Sequence, residues 1–181
     1  AVLIDADNVP SSNVKGMLEE IAKYGTPTFK RIYGDWTKPQ LSGWKKVLLD
    51  NAITPVQQYS YTSGKNSTDS ALIIEAMDIL YTGGVDGFCI VSSDSDFTRL
   101  ATRLREAGKK VFGIGQKKTP SPFIASCNKF IYLEILQQEE KEEVASKETT
   151  KKSVKLPFHI SIINKELINL IVSSINDSAE D

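Results

Sequence analysis

The sequence predicts an α/β domain in which a mostly parallel central sheet is flanked by layers of helices, and three observations predict it. Short apolar runs of strand length alternate with stretches of helical periodicity from the first residue to Leu133. The first and fourth of these runs are apolar throughout rather than alternating, as strands covered on both faces require. Carboxylates follow the ends of these runs, at the sheet edge where such folds bind their ligands.

Ala1 to Ile4 reads as the first strand, too short for a helix and stopped by Asp5, Asp7, Asn8 and Pro10. Ser11 or Ser12 is expected to cap a helix in which Val14, Leu18, Ile21 and Ala22 recur at helical spacing until Gly25. Thr28 to Tyr33 is the second strand, and Pro39 suits the first turn of a helix carrying Leu41, Trp44, Val47 and Leu48. Ile53 to Gln57 is the third strand. A polar loop from Tyr59 to Ser67 leads into a helix that runs to Tyr81 and is ended by Gly83 and Gly84. Phe88 to Val91 is the fourth strand, Phe97 to Ala107 a helix stopped by Gly108, and Val111 to Ile114 the fifth strand. A short helix within Pro122 to Ser126 precedes a last strand, Phe130 to Leu133.

Beyond residue 136 the order breaks. Residues 137–155 combine the run Glu139-Glu140-Lys141-Glu142-Glu143 with a lysine-rich stretch and read as a charged linker or a solvated helix extension. Leu156, Ile160, Ile163, Leu167, Ile168 and Ile171 mark an apolar helix-like segment over 156–181, too short to fold alone, which either docks on the main domain or opens a second one. The chain starts at Ala1, already inside a strand pattern, and so reads as a trimmed piece.

Composition narrows the function. The chain has 181 residues, 40% hydrophobic and 25% charged, as expected of a soluble globular protein. A net charge of −1 and a pI near 6.0 supply no overall field for a polyanion, so nucleic-acid contact has to rest on local basic patches. Cys89 and Cys127 lack zinc spacing, and the single histidine, His159, cannot complete a His/Cys site. Both thiols are expected to stay reduced in a cytoplasmic setting. No apolar run approaches the roughly 20 residues of a membrane span.

The acids carry the chemistry. Asp5 and Asp7 end one apolar strand, and Asp94 and Asp96 follow another within Ser92-Ser93-Asp94-Ser95-Asp96-Phe97. Crowded carboxylates repel one another and are driven toward protonation unless a cation lies among them, so two such pairs point to a divalent ion. Asp69, after Gly64-Lys65-Asn66-Ser67-Thr68, adds a third junction. Each acid also has a plain structural account: Asp69 complements a helix dipole, Asp94 and Asp96 cap the next helix, and Asp5 and Asp7 build a turn before Pro10. Those accounts do not explain why three junctions on one edge all carry Asp. Asp78, about 180° round the helix from Asp69, reads as a surface charge.

Oxygen-only donors favour hard Mg²⁺ or Mn²⁺, and the implied reaction is phosphodiester hydrolysis. In this reading Lys65 neutralises a phosphate, while Ser93 and Ser67 either bond to phosphate and metal-bound water or serve as turn and cap groups. Arg99, Arg103, Arg105, Lys109, Lys110, Lys117 and Lys118 concentrate positive charge after the acidic run, with Arg99 and Arg103 on one helix face. Trp36, Tyr59 and Tyr61 lie in loops of the same edge, either to stack on bases or as rim packing.

Four motifs stand in order: Ile4-Asp5-Ala6-Asp7-Asn8, Gly64-Lys65-Asn66-Ser67-Thr68-Asp69-Ser70-Ala71-Leu72, Val91-Ser92-Ser93-Asp94-Ser95-Asp96-Phe97 and Gly113-Ile114-Gly115. Together they resemble the NYN domain, including its LabA-like bacterial branch, over residues 1–136. NYN domains are a branch of the PIN-like fold, whose members are metal-dependent ribonucleases. The resemblance implies a three-layer, Rossmann-like sheet of strand order 3-2-1-4-5. By position it implies Asp5, Asp69, Asp94 and Asp96 as metal-binding and catalytic acids, Asp7 and Asn8 in support, and Lys65 near the substrate. Family members often carry Asp where this chain has Glu75. Glu166-Leu167-Ile168-Asn169-Leu170-Ile171 resembles the first helix of a LOTUS domain, a module associated with RNA.

The expectation is therefore a Mg²⁺- or Mn²⁺-dependent ribonuclease, with RNA as partner, no membrane contact, and self-association left open. The alternative is an RNA-binding or regulatory module that keeps the acidic pocket without turnover. Asp5-Ala6-Asp7 also resembles the nucleophile motif of haloacid dehalogenase-like phosphatases. Those enzymes need a Ser or Thr, then a Lys, then an acidic pair, whereas here the acids directly follow Ser93 and nothing acidic follows Lys110 until Glu134.

Overall fold

A computed structural model describes residues 1–59 and 67–138. Lys65, Tyr61 and the segments after Gln138, including the LOTUS-like one, lie outside the described residues. Six strands, β1 (Val2–Asp5), β2 (Lys30–Gly34), β3 (Thr54–Gln57), β4 (Gly87–Val91), β5 (Lys110–Gly115) and β6 (Lys129–Tyr132), form one sheet in the order β3-β2-β1-β4-β5-β6. All pairings are parallel. The expected order holds, with β6 added at the edge beside β5.

The strands alternate with α1 (Val14–Ala22), α2 (Trp44–Asp50), α3 (Ser67–Thr82), α4 (Thr98–Glu106) and α5 (Ser121–Ser126). Strand pleating divides the core in two. Val2 and Ile4 of β1 and Cys89 and Val91 of β4 pack with Met17 and Trp44 of α1 and α2. Leu3, Phe88 and Ile90 turn to the opposite face, against Leu72, Leu100 and Phe123 of α3, α4 and α5. Large side chains that are completely covered, such as Phe97 and Leu104, contribute about 1.5–3 kcal/mol each. Among the described residues no helix is long and apolar enough to cross a membrane.

Three local expectations are corrected. Neither Ser11 nor Ser12 caps α1: both lie in a 3₁₀ turn, and Ser12 Oγ donates to Asn13 Oδ1 at 3.1 Å. Pro39 opens a separate 3₁₀ turn, Pro39–Leu41, because α2 begins only at Trp44. The last strand ends at Tyr132, and residues 133–138 are helical. Leu133 and Leu136, three apart, are buried on the α1 and α2 face, and Gln137 Nε2 donates to Asn13 Oδ1 at 2.9 Å. Gly108 does stop α4, at φ +77°, a conformation open to glycine without a Cβ clash.

The order reverses between β1 and β4, so the loops after them part at the C-terminal edge of the sheet. Gly115 closes β5 against that opening. A Cβ there would lie 2.5 Å from the Ser92 carbonyl oxygen and 2.8 Å from Thr119 Oγ1. Gly115→Ala is therefore expected to destabilise the domain by on the order of 1–3 kcal/mol, because backbone at the β4 exit has to move. Urea denaturation measures the loss, and an unchanged midpoint would show that the β4 exit gives way freely.

Candidate metal centre

Asp5 ends β1 one position past the Ile4 and Val91 pairing that joins β1 to β4. Its side chain is almost wholly buried, at 1% exposure. Oδ2 accepts hydrogen bonds from Ser92 Oγ at 2.8 Å and from Asn8 Nδ2 at 2.5 Å, and Oδ1 accepts one from the Asp7 amide at 3.1 Å. Burial pushes its pKa up, and these three donors pull it back.

Ser92 passes this constraint onward. Its Oγ accepts a hydrogen bond from the Asp94 amide at 3.1 Å, and Asp94 Oδ1 accepts one from the Asp96 amide at 2.9 Å. Asp94 thereby caps the 3₁₀ turn Ser95–Phe97 that leads into α4, and the buried Phe97 ring anchors the turn. Capping and clustering are compatible, since each Asp94 oxygen has more than one lone pair.

Asp69 comes from a different element, the first turn of α3, beside the buried Thr68. Asp69, Asp94 and Asp96 each offer a carboxylate oxygen within 4.8 Å of the others. Burial first, then the charges of Asp5, Asp94, Asp96 and Asp7, push the Asp69 pKa up to about 6. The three oxygens, with no nitrogen or sulfur donor among them, match what a hard divalent cation requires. Both cysteines lie in the core, where burial pushes Cys89 up to about 12 and Cys127 up to about 11, and neither is among the three clustered donors.

The other sequence-predicted residues divide. Asn8 supports Asp5 directly, and Asp7 pairs with Lys38 at 3.8 Å. Ser93 is buried, and its Oγ accepts the Gln116 amide at 2.9 Å, so it fastens the loop after β5. Ser67 opens α3, and Arg99 is exposed in the first turn of α4, both at the acidic edge. Asp78 is exposed, as expected. Glu75 is not part of the cluster: it forms an ion pair with Arg31 of β2.

The basic residues form no single track. Lys109 and Lys110 enter β5 at the opposite edge of the sheet, and Arg105 there donates to the Ser126 carbonyl at 3.2 Å. Arg103 Nη2 donates to Tyr81 Oη at 2.9 Å. Trp36 is a packing residue, its indole N–H donating to the Val56 carbonyl at 3.0 Å. Sequence reasoning missed Ser92 and Lys38. The signal for Ser92 was present, since it directly follows the fourth strand, but its partner is 87 residues away.

The crowding has a measurable sign. Asp69 titrates at about 6 against 3.8 for an unperturbed aspartate. The folded state then holds a proton that the unfolded state has lost, so this group's contribution falls as pH rises from roughly 4 to 6, and its cost is fully present above that. Asp69→Asn is expected to stabilise the metal-free protein at pH 7.5 by on the order of 1 kcal/mol, discounted because the side chain is partly exposed. The advantage largely vanishes at pH 4. Thermal unfolding in EDTA at the two pH values measures it, and a variant less stable than wild type at pH 7.5 contradicts the crowding.

The family model of the NYN domain matches residues 1–134. No curated protein matches the sequence. A crystal structure of a protein of unknown function from Vibrio parahaemolyticus shares the fold, with a TM-score of 0.58 at 19% identity over 72% of this chain and 90% of that one. A match over residues 1–134, with the acids gathered at the β1 and β4 switch point, means that this chain belongs to the NYN domain family.

Proposed function

We propose that this NYN domain is a metal-dependent ribonuclease in which Asp69, Asp94 and Asp96 hold Mg²⁺ or Mn²⁺. The observation that carries the reading is the convergence of three carboxylates from two separate elements to within 4.8 Å, at a cost visible in the raised Asp69 pKa. The bound ion would supply an activated water and stabilise charge on the phosphate under attack. Asp5, expected from the sequence among the metal-binding and catalytic acids, is not one of the three grouped acids; its role here is that of a positioning residue and a source of field, setting Asp94 through Ser92. Arg99, exposed in the first turn of α4, takes a substrate phosphate, and Ser67, the first residue of α3, assists it; Lys65 is assigned to the substrate from the sequence motif alone. Membership of the LabA-like branch, a cytoplasmic setting, a charged linker over 137–155 and a LOTUS-like segment over 156–181 complete this reading and rest on the sequence motifs and composition.

Asp94→Asn is the discriminating variant, because asparagine caps a helical turn as well as aspartate and keeps the 3₁₀ turn in place. It is expected to abolish Mn²⁺-dependent cleavage of RNA, a loss beyond the roughly 10–100-fold caused by removing outer-layer partners of a metal site. Calorimetric Mn²⁺ affinity falls with it while the circular dichroism spectrum is unchanged. Undiminished cleavage by the variant, or no cleavage of a broad RNA panel by wild type with any divalent ion, sinks the proposal. RNA retention without cleavage would identify a binding module instead.

A further inference from the structure

A groove on the α1 and α2 side of the same sheet edge is assigned by neither the fold nor the acid cluster. It has a volume of about 950 Å³. It is lined by Asp7 and Asn8 of the loop after β1, by Lys38 and Gln40 of the segment after β2, and by Gln116 and Lys118 of the loop after β5. We propose that this groove is the track along which single-stranded RNA reaches the acid cluster, with Lys38 and Lys118 each holding a backbone phosphate. The proposal rests on the ribonuclease reading and adds the path of its substrate.

Continuity with the acids is the first argument. Asn8 lines the groove and donates its side-chain amide to Asp5, while Asp7 lines it and donates its backbone amide to Asp5. Gln116 lines it and donates its amide to Ser93, the neighbour of Asp94. A strand lying in the groove therefore passes directly over the residues that position the cluster.

Chemistry is the second. An acidic cluster repels the polyanion it is to cut, so cations next to it have to offset that repulsion. Lys109, Lys110 and Arg105 are at the wrong edge of the sheet, whereas Lys38 and Lys118 both line the groove, from segments after β2 and β5, the strands on either side of β1 and β4. Lys38 is only loosely committed: its contact with Asp7 is 3.8 Å long, with both side chains about 40% exposed. Such a pair exchanges readily for a phosphate. The same groove is lined by the amides of Asn8, Gln40 and Gln116, which can both donate to and accept from unstacked base edges, as single strands present them and duplexes do not. The volume is near the top of the roughly 300–1,000 Å³ range of small-molecule sites and leaves room for more than one nucleotide.

The test is anisotropy of a fluorescent single-stranded RNA 12-mer titrated with the full chain in EDTA, where cleavage is silent, at several salt concentrations. Each phosphate contact on a single strand adds about 0.7 to the slope of log affinity against log salt, so Lys38→Ala/Lys118→Ala should lower the slope by about 1.4 and the affinity at 0.1 M salt by roughly 25-fold. Lys110→Ala, at the opposite edge, should leave both unchanged. Wild-type binding with an unaltered double variant overturns the groove while leaving the ribonuclease reading intact. No wild-type binding overturns the groove as well, and a parallel Mn²⁺ cleavage assay then shows whether the ribonuclease reading falls with it.

Discussion

The hydrogen bond from Ser92 Oγ to Asp5 Oδ2, 2.8 Å long and out of reach of solvent, is the contact on which the acidic edge depends. It spans the place where the two halves of the sheet part, so no ladder continues there to hold the loops. A buried carboxylate is costly unless its lone pairs are filled, and Asp5 fills them with three donors: the Ser92 hydroxyl, the Asn8 amide group and the Asp7 backbone N–H. The Ser92 backbone N–H donates to the Ile114 carbonyl at 3.0 Å, so the same residue also ties the exit of β4 to β5. One serine thus fixes three strand ends relative to one another.

That rigidity is what makes the crowding of acids possible. Left to themselves, like charges at these separations would swing apart. Asp94 is held by its two hydrogen bonds to the local backbone and to Ser92, and α3 is held against the sheet by Leu72, Ala76 and Ile79, all buried. Burial first, and the unrelieved repulsion after it, therefore show as a raised proton affinity at Asp69. A site that destabilises the ion-free fold in order to bind an ion is a familiar trade of stability for function.

Much of this edge was legible in the sequence, and the reason is local. The apolar strand runs, the helix between Ser67 and the glycine pair, and the acids directly after strands one and four all follow from short-range pattern. What was not legible is decided by register and strand polarity. The link between Asp5 and Ser92 exists because β1 lies beside β4 in one particular register. Lys109 and Lys110 adjoin the arginine-rich helix in sequence, yet a parallel sheet sends the entrance and exit of β5 to opposite edges, so the apparent basic cluster is split. Lys38 joins Lys118 across that edge from eighty residues away in the chain, with no motif to announce it.

Glu75 shows how an acid of the same helix can stand apart from the cluster. Six residues after Asp69, it lies roughly 240° further round the helix, which turns it from the acid cluster toward β2. There it meets Arg31, a half-buried cation in a strand flanked on both sides, whose guanidinium also sits 5.4 Å from the Phe29 ring centroid. An acid one methylene shorter would have less reach across the gap between helix and sheet. The ion pair fastens the middle of α3 to β2 and so helps to set where its first turn, and with it Asp69, comes to rest. One Glu75 oxygen remains buried without a hydrogen-bond partner, so the arrangement is not optimised for stability alone. Glu75 therefore bears on the aim of the helix that delivers Asp69, and stands outside the donor set of Asp69, Asp94 and Asp96.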